Sequence, residues 1–64
     1  MNKAQRAAFN AVIYALIQAD RTIDTREVAA LMRDLYHVRA TAQEVAIEWQ
    51  RQMAAERERR GRHS

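Results

Sequence analysis

Residues 3–19 (KAQRAAFNAVIYALIQA) carry two apolar faces on one helical repeat, which constrains this chain more than any other feature. At 100° per residue, Phe9, Val12, Ile13, Leu16 and Ile17 form a stripe at the i, i+3, i+4 spacing of a core-facing helix. Ala4, Ala8, Ala11, Ala15 and Ala19 form a second ridge beside it. The arc left for water carries Lys3, Ala7, Asn10, Tyr14 and Gln18. A peripheral helix in a small monomer needs one apolar face. A helix with two is packed on two sides, so the ridge is expected either to let another helix of the same chain approach closely or to meet a second chain.

The remaining boundaries follow from helix caps, because the chain has no proline and its single glycine is Gly61. Asp24 followed by Glu27 reads as a capping-box-like pair, with Ile23 and Val28 as a hydrophobic staple across the start. A helix is predicted over 25–36, with Val28, Leu31, Met32 and Leu35 inward and Tyr36 at the margin. Its outward face carries Arg26, Glu27, Ala30, Arg33 and Asp34. Thr41 and Glu44 repeat the signal, predicting a third helix over 42–60 with Ala42, Val45, Ala46, Trp49 and Met53 inward. Its outward residues are Gln43, Glu44, Ile47, Glu48 and Arg51. Val38, in the second link, is expected in the core. Trp49 is expected to be buried against Phe9, Leu16 and Leu35. Strand and hairpin signals are absent, so the fold class is all-α: a small three-helix domain over 1–56. Residues 57–64 form a charged, frayed tail, with Glu56–Arg60 and Glu58–Arg62 as favourable i, i+4 pairs.

Composition excludes several classes. With 64 residues there is one small core, and a chain of this size gains from a partner. There is no cysteine, which excludes disulfide frameworks and thiolate metal sites. No signal peptide and no membrane span are read in the sequence. Arg and Ala are common while Lys occurs once, the bias of a GC-rich coding sequence. A cytoplasmic protein of bacterial or phage-like origin is expected. The net charge is +3, but residues 1–55 hold seven basic and six acidic side chains. Most of the excess therefore lies in the tail, which weakens a reading built on basicity.

Chemical motifs fail on inspection. Asp20, Thr22 and Asp24 have calcium-loop spacing, but Thr25 stands where that loop needs glycine and Leu31 where it needs glutamate. His37 and His63 lack metal-ligand spacing, and His37 suits a helix C-terminus. Ser64, the only serine, ends the chain. No nucleophile–base–acid set can be assembled, so a non-enzymatic protein without metal or cofactor is expected.

The function expected is a small adaptor, inhibitor or regulator that binds another protein through helical surfaces and forms a homodimer. Its interface residues are Ala4, Ala8, Ala11, Tyr14, Ala15, Ile47, Gln50 and Ala54. Ile47 enters because it lies roughly 150° from the centre of its helix's stripe, among polar residues and alanine. The alternative is a helix-turn-helix-like DNA-binding regulator, with the third helix in the major groove. Arg39, Gln43, Arg51, Arg57, Arg59 and Arg60 would then contact DNA. Glu44 and Glu48 on the outward face oppose that reading, since a polyanion demands basic contacts.

Overall fold

Each helix begins at a side-chain cap that satisfies N–H groups the helix itself leaves open. The computed structural model describes residues 1–62. Helix α1 runs Lys3–Gln18, α2 Thr25–Tyr36 and α3 Ala42–Arg62. Among the described residues there is no strand, and the domain is all-α with three helices. Asn2 and Gln5 form a reciprocal capping box on α1, at 2.8 and 2.9 Å. Thr41 and Glu44 form the expected one on α3, at 3.1 and 3.2 Å. At α2 the Asp24 carboxylate accepts from the Arg26 N–H at 2.8 Å. The Glu27 N–H goes instead to the Asp24 carbonyl.

Two helices end on left-handed residues. Asp20 has φ 54° and His37 has φ 55°. After α1, the Asp20 N–H bonds the Ile17 carbonyl and the Arg21 N–H bonds the Leu16 carbonyl, the double bond pattern of a Schellman stop. After α2, the Val38 N–H returns to the Met32 carbonyl at 3.1 Å. This reversal carries Val38 into the core, as expected.

The core comprises Phe9 and Ile13 of α1, Val28 and Met32 of α2, Val38 of the second link and Val45 of α3. Val12, Leu16, Ile17, Ile23 and Trp49 pack around it. Helix α3 lies against both other helices and is the longest of the three. No helix among the described residues is long and apolar enough to cross a membrane.

Four expectations about faces are corrected. Glu48, expected on the outward face of α3, is buried with 3% of its surface exposed. Helix α3 is flanked on two sides, so its covered arc is wider than its apolar stripe and includes Glu48 and Gln52. Leu35, expected inward, is 64% exposed, because α2 stops one residue later and Val38 occupies the core beneath it. Trp49 is half-buried at the core edge, near Ile17, Ile23 and Met53, and not enclosed with Leu35. Asn10, expected in water, is half-buried between α1 and α3. Helix α3 also continues to Arg62, two residues past its expected end. The expected Glu58–Arg62 pair, His63 and Ser64 lie outside the described side chains.

Candidate functional site

The seam between α1 and α3 is polar at its centre. Glu48 accepts two hydrogen bonds from the Arg51 guanidinium, at 2.8 and 2.5 Å, one to each carboxylate oxygen. Gln52 Nε2 donates to Glu48 Oε2 at 2.8 Å and to the Asn10 carbonyl at 3.0 Å, tying α3 to α1. The Arg51 hydrogen bonds hold the Glu48 carboxyl below its usual range, against the opposing effect of burial, with Gln52 and the charge of Arg6 adding to the depression. Arg6 itself lies over the Phe9 ring, 5.3 Å from its centroid. Asn10 Oδ1 is buried with no partner among the described residues.

About two turns beyond Glu48, Glu56 receives Gln18 Nε2 from α1 and the guanidinium groups of Arg59 and Arg60 from α3. The expected Glu56–Arg60 pair is thus present. Arg59 is held above its ordinary value by the charge of Glu56 and by a hydrogen bond with Tyr14. Above these two acid–arginine clusters the helices diverge into a groove of about 430 Å³, lined by Ala11, Tyr14, Arg51, Ala55 and Arg59 among others.

The outer face of α1 is an exposed run of alanines. Ala4, Ala7, Ala11 and Ala15 are all exposed and Ala8 is half-buried. The alanine ridge therefore stays largely uncovered, with Ala11 at the rim of the α1–α3 groove, and is not the close-approach surface between the two helices. Tyr14 flanks the same face, 48% exposed. The residues expected to act together fall into separate places. Ala11 and Tyr14 meet Arg51 and Arg59 in the α1–α3 groove. Ala4, Ala8 and Ala15 continue the outer face of α1. Ile47, Gln50 and Ala54 lie on the opposite, exposed face of α3, with Ile47 62% exposed. Gln43 is exposed in the first turn of α3. Arg39 lies beside α2 instead, in a pocket with Arg26 and Arg33. Arg57 and Arg60 turn toward Asp20, Arg21 and Trp49.

Sequence reasoning missed the Asn10–Glu48–Arg51–Gln52 cluster. The signal was present, since Arg51 and Gln52 stand three and four residues after Glu48 and are placed to neutralise it from its own helix. No group of three or more His, Cys, Asp or Glu among the described residues is placed to hold a metal ion. Asp24 of the failed calcium loop spends its carboxylate on the α2 cap. Comparison with known family profiles, characterised proteins and solved structures gives no match to this chain.

Proposed function

We propose that this chain is a small non-enzymatic binding protein of the cytoplasm that acts through helical surfaces, first by pairing with a second copy through α1. The observation that carries this reading is the uncovered alanine face at Ala4, Ala7, Ala11 and Ala15. Alanine side chains let two helices approach to the short end of the usual 8–10 Å interaxial range. The face is sixteen residues long, or about 24 Å, and its only charge is Lys3 at one end. An antiparallel two-fold pairing sets the two Lys3 side chains at opposite ends, so no like charges meet. The dimer then presents Tyr14 and, on α3, Ile47 to a further protein partner. Dilution of labelled protein tests the pairing: the amide signals of Ala4, Ala11 and Ala15 shift with concentration, while those of Thr22 and Tyr36 stay fixed. Concentration-independent α1 signals would reject it.

A second reading, a DNA-binding regulator, gains from one observation. Glu48 is withdrawn from the outward face of α3, and Glu44 turns its carboxylate to the Thr41 N–H. The acidic opposition to a groove-facing α3 is thereby reduced, leaving Gln43, Ile47, Gln50 and Arg51 outward. Specific duplex binding that depends on Arg39 and Gln43 and falls with salt would favour this reading over the first.

A further inference from the structure

The outward face of α2 and the link that follows it build a pocket with one sign of charge. Arg26, Ala29, Ala30 and Arg33 stand at i, i+3, i+4 and i+7, so they share one face of α2, with arginines at both ends and alanines between. The chain reversal at His37 brings Arg39 and Ala40 back against this face, closing a concavity of about 560 Å³. Its lining holds three guanidinium groups and no carboxylate. Arg33 has Asp34 at 3.5 Å, with both side chains largely in water, where such a pair is weak. Arg26 and Arg39 make no ion pair with any described residue, whereas Arg51, Arg59 and Arg60 are each committed to a glutamate. The alanine floor keeps the pocket shallow, so a small ligand reaches the guanidinium groups and the backbone together.

We propose that this pocket binds a phosphate group. A tetrahedral oxyanion offers the paired acceptor oxygens that guanidinium groups bind bidentately. Arg26, Arg33 and Arg39 supply the charge, and Arg26 and Arg39 do so without first breaking an internal pair. The amino end of α3 at Thr41 and Ala42 forms one wall, where the Thr41 N–H is already taken by the Glu44 carboxylate, so the attraction rests on the three guanidinium groups. The phosphate belongs either to a free small molecule or to a nucleic-acid backbone. The pocket lies on α2 and its link, apart from the exposed α1 face, so this proposal and the pairing of α1 fail or stand separately.

Two titrations of the full chain test it. In the first, inorganic phosphate is added at constant ionic strength against a chloride control, and amide signals are followed. Saturable shifts centred on Ala29, Ala40 and Ala42 are expected, weakened roughly tenfold or more in Arg26→Gln/Arg39→Gln, as when charge-assisted hydrogen bonds are lost. In the second, a short labelled duplex is bound across a salt series. The same double variant is compared with Arg21→Gln/Arg57→Gln, which removes equal charge elsewhere. If the phosphate comes from nucleic acid, the pocket variant loses more affinity than the control and its salt slope falls by about two. Phosphate shifts without that selective loss assign the site to a free phosphate compound. Overturning the proposal takes chloride-like behaviour of phosphate together with equal duplex affinities for the two variants.

Discussion

Arg51 closes over the buried carboxylate of Glu48 with two hydrogen bonds, at 2.8 and 2.5 Å, while leaving most of its own surface in water. A carboxylate in the packed seam of two helices is costly unless its lone pairs are filled. Arg51 and Gln52 fill them from the same helix, so α3 brings a pre-neutralised acid to α1. The Gln52 amide, shared with the Asn10 carbonyl, then sets where α3 sits along α1.

Glu48→Ala is expected to destabilise the domain by about 1–3 kcal/mol, because Gln52 loses a partner and a small cavity opens. Glu48→Met fills the same volume without charge and is expected to recover most of that loss, since buried ion pairs are often replaceable by apolar groups. Chemical denaturation of the two variants checks the order. Equal losses would show that the hydrogen bonds, and not the packing, dominate.

Acid should weaken this seam. The folded-state value of Glu48 lies below its ordinary 4.5, so the folded chain holds this proton less tightly than the unfolded chain. Its contribution is therefore complete above about 4.5 and is lost as pH falls through the lower folded value. Thermal midpoints measured from neutral pH to below that value should fall more steeply for the wild type than for Glu48→Gln. Parallel curves would mean that the carboxylate is not selectively stabilised by folding.

Left-handed stops at Asp20 and His37 define a third expectation. An L-residue with a side chain is disfavoured there, and glycine is not. Asp20→Gly and His37→Gly should each raise stability by about 0.5–1 kcal/mol, after allowance for the extra freedom of glycine in the unfolded chain. Urea midpoints provide the measure, and a fall at both positions would contradict the stops.

The helices and their starts are legible in the sequence because short-range chemistry decides them. Asp24 and Thr41 cap the helices they were expected to cap, and the Phe9–Ile13 stripe faces the core. The Asn2–Gln5 box was equally readable from its spacing. The stop at Asp20 was harder, since glycine usually marks that conformation. Two features depend on which helix covers which and escape a periodicity argument. Leu35 has the right angle for the core but lies in the turn where α2 ends. Glu48 has the wrong polarity for a packed face and is accommodated only through Arg51 and Gln52. The alanine ridge shows the same limit: its angle was readable, but whether α3 or solvent met it was not.

Self-association through that ridge is the central claim, and sedimentation equilibrium across the micromolar range tests it most directly. The chain mass is 7.5 kDa, so the wild type should approach about 15 kDa as concentration rises. Ala11→Glu/Ala15→Glu places acids on exposed positions of a helix that tolerates glutamate, so the fold persists while the paired faces repel. This variant should remain at the monomer mass, whereas Thr22→Glu, in the exposed link, should dimerise like the wild type. A wild type that stays at 7.5 kDa at every concentration, or a dimer unaffected by the two acids on α1, would contradict the account.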